Sequence, residues 1–395
     1  MRDAPDVPGL TFRRFRGADD YAVLAAVREG VREYDRIDPR SPREGIPSVD
    51  DMARVYDDVS PGSPNMLVVE VDGAVVGYNW VTWWEEQDGP WLYLHLGWLL
   101  PAWRGQGIGT AMLRAAERRL RAVAARRRAH EGVSLERQAF GTNASSTERE
   151  ATSLALREGY TLVHSLSDMA VRVEGDPDAL FPRAALPAGV DAQPVAPGDY
   201  RAIYDAWKGA WAGLPLMRPL GEEDYRDFLA DNVDAPGFDP SLWQVAWRGD
   251  EVVGVVVGPV WRGVGVVPEV AVRRRWRRRG VARALLLGGM RALAGRGVPE
   301  IRIITDRDDS QGARSLYESA GFREFKWHDT VGKCAFGPLC LLSSRLTPCQ
   351  RSARIGPAKG FTNSIMARAL PQANGRMTTV RCEILGRVVS RNLAC

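Results

Sequence analysis

Arg277-Arg278-Arg279-Gly280-Val281-Ala282 is the stretch of this 395-residue chain best suited to chemistry. It follows an apolar run, Val264 to Val272, that reads as a strand. It runs into Ala282-Arg283-Ala284-Leu285-Leu286-Leu287, which reads as a helix. A strand that turns through glycine into a helix presents backbone N–H groups that have no partner inside the helix, at the positive end of the helix dipole. That combination binds anions. Gly280 lets the backbone approach a phosphate closely and take a φ that other residues resist. The same plan occurs 173 residues earlier, where Arg104-Gly105-Gln106-Gly107-Ile108-Gly109 follows the run Leu92 to Leu100.

The elements that must position the two turns come in the same order. In the first copy Thr11–Phe15 reads as a strand, Asp19-Asp20 opens a helix to about Arg36, and Ser48-Val49-Asp50-Asp51 starts another. Met66–Val71 and Ala74–Trp84 pair across the Asp72-Gly73 turn, and Trp91–Leu100 follows. An amphipathic helix spans about Gly107 to Arg126. Strand Gln138–Thr142 and helix Thr147–Glu158 come next, and Tyr160–Val173 closes the copy. Glu174–Gly189, rich in Pro, Asp and Ala, reads as a linker. The order then restarts with helices Asp199–Trp211 and Glu222–Asn232, the hairpin Trp243–Trp247 and Val252–Val260, and strand Val264–Val272. A helix to about Leu293, strand Ile301–Thr305, helix Ser310–Ala320 and strand Phe322–Lys333 complete it. This is an α/β (α+β) chain built by internal duplication, with domains at 1–173 and 190–333 joined by residues 174–189.

Composition narrows the class. Hydrophobic residues make up 45% and charged residues 26%, ordinary for a globular protein. No apolar run reaches the roughly 18 residues of a membrane span, and no signal peptide is read, so a cytoplasmic protein is expected. Only Lys208, Lys326, Lys333 and Lys359 are lysines, an arginine bias that reads as coding bias rather than nucleic-acid binding. The net charge of +4 hides a break: from Cys334 onward there are nine basic residues and one acid, Glu383, so the chain before it carries −4. All five cysteines lie in that basic tail (334–395), at spacings that match no zinc pattern. Periodicity fails there too. The tail reads either as loosely attached or disordered, or as the product of a changed reading frame near Cys334.

A second motif accompanies the second turn. Ala313-Arg314-Ser315-Leu316-Tyr317-Glu318-Ser319-Ala320-Gly321-Phe322 lies 31 to 40 residues after Ala282, with a strand between. Strand, Arg/Gln-x-x-Gly-x-Gly/Ala, long helix, strand, then Leu-Tyr-x-x-x-Gly-Phe resembles the GNAT acyl-CoA N-acyltransferase superfamily, in tandem form, over about residues 10–333. The resemblance implies two GNAT domains, each a mixed, mostly antiparallel sheet flanked by helices. It implies acetyl-CoA as co-substrate, with its pyrophosphate on the amides of Arg278, Arg279, Gly280, Val281 and Ala282 and added charge from Arg277 and Arg279. The pantetheine arm would run along strand edges where Val270, Ala271 and Val272 splay from Ile301–Thr305. A main-chain N–H near Val272 would polarise the thioester carbonyl. The matching set in the first copy is Leu99, Arg104, Gly105, Gln106, Gly107, Ile108 and Gly109.

Tyr317 stands where the family places the acid that protonates the departing thiolate; a core tyrosine is the other reading. Several members carry a Glu eleven residues before the first motif residue, and here that position is Val266. Glu269 is the candidate base. Strand alternation sets it on the face opposite Val266 unless a bulge intervenes, and a water chain is the other proton route. The first copy has Ala155 in place of Tyr317, so it is expected not to catalyse, while still binding coenzyme A or serving as a structural partner. His95 is either a base or a packed histidine. Six tryptophans between Trp80 and Trp103 are core or, alternatively, a cation-binding wall.

The implied activity is acetyl transfer from acetyl-CoA to an amine, most simply a small molecule, at the second copy and without a metal. The alternative is a non-catalytic acyl-CoA-sensing scaffold, which Val266 favours and Tyr317 opposes. Nucleic-acid binding through Arg273–Arg279 is a third reading, opposed by Trp276 and the glycine turn. The sequence specifies neither the acceptor nor the oligomeric state.

Overall fold

The computed structural model describes residues 3–41, 43–56, 58–85, 91–134, 137–211, 222–234, 238–308 and 312–335. They form two compact units: residues to His164 together with those from His328, and Ser165–Trp327. In chain order the elements are β1 (Leu10–Arg14), α1 (Ala18–Arg32), α2 (Val49–Val55), β2 (Met66–Val71), β3 (Ala74–Glu85), β4 (Trp91–Leu99), α3 (Ile108–Glu131), β5 (Gln138–Ser145), α4 (Arg149–Arg157) and β6 (Thr161–Arg172). Then come α5 (Pro177–Leu180), β7 (Asp191–Gln193), α6 (Tyr200–Trp211), α7 (Glu222–Phe228), β8 (Gln244–Arg248), β9 (Glu251–Val257), β10 (Val260–Trp261), β11 (Val264–Val267) and β12 (Glu269–Val272). The last are α8 (Val281–Ala294), β13 (Glu300–Asp306), α9 (Ala313–Ser319) and β14 (Arg323–Cys334). Local chemistry sets the ends. Ser48, for example, caps α2 in a reciprocal box with Asp51, each accepting from the other's backbone N–H.

The first unit carries the sheet β1-β2-β3-β4-β5-β14, antiparallel except for the β4–β5 pair. β4 follows β3 as far as Leu99, but pairs with β5 only from Trp91 to Leu94. Beyond Leu94 the two parallel strands splay. Phe15, Leu24, Met52, Tyr56 and Met66 form one core beneath α1 and α2, and Tyr93, Leu113, Leu120 and Phe140 form another beneath α3.

The second unit holds β6-β13-β11-β10 and a separate sheet β12-β9-β8-β7. Here one expectation is corrected: Val264–Val272 is not one strand. Pro268, which cannot donate to a ladder, divides it, and the two pieces join different sheets. The closing strands are also exchanged relative to chain order. β6 pairs with β13 from Leu166↔Asp306 to Arg172↔Glu300, whereas β14 completes the first sheet, from His328↔Ser145 to Cys334↔Ala139. The segment read as a linker carries α5 and buries Phe181 beside α8, where Arg291 donates to the Phe181 carbonyl at 2.6 Å. Of the basic tail, Cys334 ends β14 and Ala335 follows it, its N–H reaching the Gln138 carbonyl at 3.1 Å. Residues 336–395, and with them both readings of the tail, lie outside the described residues.

Candidate active site

The second turn is built by β12, one turn of 3-10 helix at Arg274–Trp276, and the start of α8. Gly280 caps α8 at φ 85°, and an added Cβ there would meet nothing within 4 Å. The space beside Gly280, at the head of α8 where the first amides lack helical partners, is therefore open. Arg278 also sits in the left-handed region, at φ 61°, which costs a side-chain-bearing residue about 1 kcal/mol. The Arg277 guanidinium is committed to the fold. It donates to the carbonyl of Val272 at 3.1 Å and to that of Ala210. Burial and the neighbouring Arg274 both lower its pKa. Trp276 is buried and lies between Arg248 and Arg279, whose guanidinium carbons are 5.3 and 5.2 Å from its ring.

The splay on which a thioester site depends is present here too. β11 pairs with β13 only through Gly265↔Ile301, Val266↔Arg302 and Val267↔Ile303. β12 then departs as the edge strand of the other sheet. The break settles which way Glu269 faces. Opposite β10, Val260 pairs with Gly265, and the Val266 N–H bonds the Pro259 carbonyl at 2.9 Å; opposite β9, Val257 pairs with Glu269. Two steps along one strand, Val257 to Pro259, therefore span three along the other, Val266 to Glu269. The extra residue at Pro268 is a bulge, and it inverts the alternation. Glu269 shares its face with Val257 and Ala271, which pack with α6 and Phe228, and Val266 lies on that same face. Val270 and Val272 face α8. Tyr317, on α9, is 7% exposed, with its ring against Phe322 at 6.2 Å between centroids.

The first turn repeats this backbone and changes its surroundings. Pro101–Trp103 is again a single 3-10 turn, Gly105 takes φ 76° in place of Arg278, and Gly107 caps α3 at φ 84°. Arg104 again holds the carbonyl five residues upstream, here Leu99 at 2.9 Å. It then makes a two-pronged pair with the buried Asp35 at 2.6 Å, and Glu150 lies 3.7 Å away. Burial lowers the Arg104 pKa, but Asp35 more than reverses this and raises it. An added Cβ on Gly107 would lie 3.2 Å from Pro5. Ala155 is buried in the core below α3.

His95 is packed, not exposed to a cleft. Its Nε2 lies 2.7 Å from the Tyr160 hydroxyl, which donates to Glu117 at 3.1 Å, so the imidazole donates to the tyrosine oxygen. Lys333, near the end of β14, pairs with Glu117 and donates to the Glu158 carbonyl at 2.8 Å. Burial, then the Lys333 charge, pushes His95 down to about 3, and burial, then Glu117, raises Tyr160. No sequence pattern linked these four residues, although Lys333 is one of only four lysines. Of the six tryptophans between Trp80 and Trp103, Trp80 is buried and the other five are half-buried. Trp80 is in the core with Tyr56, and Trp98 lies tilted against Tyr78, 4.8 Å between centroids, with the Arg28 guanidinium carbon 4.3 Å from its ring. Within the arginine run, Arg273 and Arg275 both pair with Glu251. Among the described residues no group of three or more His, Cys, Asp and Glu side chains is placed to hold a metal, and no helix is long and apolar enough to cross a membrane.

Comparison with known proteins agrees with this fold. The model of the Acetyltransferase (GNAT) family matches residues 31–139 and again 200–322. A mycothiol acetyltransferase from Streptomyces bingchenggensis is 31% identical over 307 residues, covering 76% of this chain and 85% of that protein. One from Streptomyces avermitilis is 30% identical over 310 residues, covering 76% and 91%. Among solved structures, a GCN5-related N-acetyltransferase from Sphaerobacter thermophilus superposes with a TM-score of 0.64 at 23% identity, over 86% of this chain and 99% of that one. A tandem GNAT protein from the clavulanic acid biosynthesis pathway gives 0.58 at 16%, over 83% and 99%.

Proposed function

We propose, since this chain belongs to the GNAT acetyltransferase family, that it transfers an acetyl group from acetyl-CoA to an amine at the second of its two turns. The observation that carries the choice of turn is the open, cationic cradle at Gly280, set against the acid-flanked and Pro5-covered turn at Gly107. The residues fit the co-substrate. Backbone amides from Arg278 to Ala282 would hold its pyrophosphate, with Arg279 adding charge and Arg277 fixing the strand end. The edges of β12 at Val270–Val272 and of β13 beyond Ile303 would take the pantetheine arm. Acetyl-CoA supplies the activated acyl carbon. A backbone N–H near Val272 polarises its carbonyl oxygen. Glu269 removes the proton from the amine as it attacks, and Tyr317 returns one to the leaving sulfur. Holding amine and thioester together supplies much of the remaining acceleration.

The bulge at Pro268 supports Glu269 as base, because it turns that carboxylate onto the face that Val266 occupies. It also weakens the rival reading of a non-catalytic acyl-CoA scaffold, whose argument was the missing carboxylate at Val266. The acceptor is a small-molecule amine, a reading that rests on the names of the relatives, and the reaction takes place in the cytoplasm. The test is thiol release from acetyl-CoA across a panel of small amines. Release that depends on one amine class and falls about a hundredfold or more in Glu269→Gln, recovering as pH rises, supports the reading. Tight acetyl-CoA binding with no release for any amine leaves the scaffold.

A further inference from the structure

The first unit also carries a cavity away from its glycine turn. It has a volume of about 700 Å³ and opens between the outer strands β1–β3 and the middle of α3. That volume is in the range of small-molecule sites. Its floor is apolar, from Phe12, Leu67 and Val81, with Ala115 and Ala116 on the helix side. Its charged lining is four arginines, Arg13, Arg14, Arg118 and Arg119, with no acid among them. Two of the four are neutralised from behind: Arg13 by Asp20 and Glu70, Arg118 by Asp3. The other two are not. Half-buried Arg119 donates to the neutral Asn65 amide oxygen at 2.9 Å, and no described carboxylate is within ion-pair distance of it or of Arg14. Burial, Arg126 and Arg14 all lower the Arg119 pKa. A chain that pairs Arg104, Arg114, Arg201 and Arg314 with acids leaves these two cations facing one apolar-floored cleft.

We propose that this cleft binds a small organic anion, a phosphate or carboxylate on an apolar body, with Arg14 and Arg119 clasping the anionic group and Phe12 and Leu67 receiving the body. Neither residue belongs to the acetyl-transfer site. Two guanidinium groups supply charge-assisted donors at a place where no described carboxylate neutralises them. The apolar floor selects against inorganic anions.

The test is calorimetric titration of the full chain with 1-naphthyl phosphate at low salt, with coenzyme A present at saturation so that the glycine turns are occupied. The expected result is binding that persists beside coenzyme A, weakens about tenfold in Arg14→Gln and in Arg119→Gln, and is unchanged in Arg128→Gln, an exposed arginine on the same helix with the same charge change. Inorganic phosphate and neutral 1-naphthol should each bind at least tenfold more weakly than the ester. Arg14 is exposed, so its substitution is expected to leave the fold intact, and that variant carries the test if Arg119→Gln misfolds. Absence of binding to the unaltered chain, equal affinity in Arg14→Gln, or displacement by coenzyme A would each overturn the proposal.

Discussion

The two glycine turns have nearly the same backbone and opposite surroundings. Each has a single 3-10 turn, an arginine held by the carbonyl five residues upstream, a left-handed residue next, and a left-handed glycine capping a helix. Around the first, Asp35 and Glu150 gather at the arginine and Pro5 lies against the glycine. Around the second, the arginine has only carbonyls and the glycine faces open space. Backbone shape alone makes an anion site at a helix N-terminus, but charge and access decide whether it is used. On the proposed function, the duplicated fold keeps the first motif for its architecture and the second for its chemistry.

The sharpest break of that comparison is at the acid. Tyr317→Phe should lower kcat about 10²–10⁴-fold with the KM for acetyl-CoA within about twofold, because a general acid acts in the transition state and not in binding. Tyr160→Phe, in the first unit, should leave kcat unchanged. Steady-state kinetics of both variants decide it; equal losses would mean that the two units do not divide the work as proposed.

Next in size is the arginine itself. Arg104→Met strands the buried Asp35 carboxylate and should destabilise the protein by about 3 kcal/mol, whereas Arg277→Met frees only carbonyls and should cost about 1–2 kcal/mol. Urea midpoints measure both. The reverse order would show that the second turn, not the first, is the structural one.

Much of this was legible in the sequence and some was not. The two turns, the Tyr317 motif and most elements could be read because each is written locally, in glycines, caps and periodicity. The family was legible for the same reason. The exchange of β6 and β14 was not, since strands of similar composition carry no label for their partner. Asp35, Pro5 and Lys333 act on residues far away in the chain, with no pattern to announce them. Pro268 was different: a proline inside a strand run is a bulge signal, and weighing it would have set Glu269 on the face of Val266 from the sequence alone. The acidic side of the first turn and the open side of the second are tertiary facts.

The first unit should also be the acid-sensitive one. His95 has an ordinary value near 6.5 when unfolded and about 3 when folded. As pH falls, the unfolded chain takes up that proton first. The stability present above pH 6.5 is therefore lost between pH 6.5 and about 3, with a slope approaching 1.4 kcal/mol per pH unit. Its counterpart in the second copy is Pro268, which does not titrate. Thermal melting from pH 7 to pH 5 should fall less steeply in His95→Gln than in the unaltered chain, and parallel curves would show that the imidazole is not held neutral.

The smallest contrast is the left-handed residue between arginine and glycine. At φ 76° Gly105 is unstrained, while Arg278 holds φ 61° with a Cβ. Arg278→Gly removes about 1 kcal/mol of backbone strain but adds entropy to the unfolded chain, so a net gain of about 0.5 kcal/mol is expected. Gly105→Arg should cost about 1 kcal/mol. Coenzyme A affinity separates strain from purpose: a residue kept there for charge at the cradle should, on becoming glycine, raise stability while weakening coenzyme A binding several-fold. If Arg278→Gly instead lowers stability, then the reach of its guanidinium to the head of α9, where a Cβ on Gly312 would lie 3.4 Å away, outweighs the strain. In that case Arg278 braces the helix that carries Tyr317, and the contrast between the turns would be one of packing as well as charge.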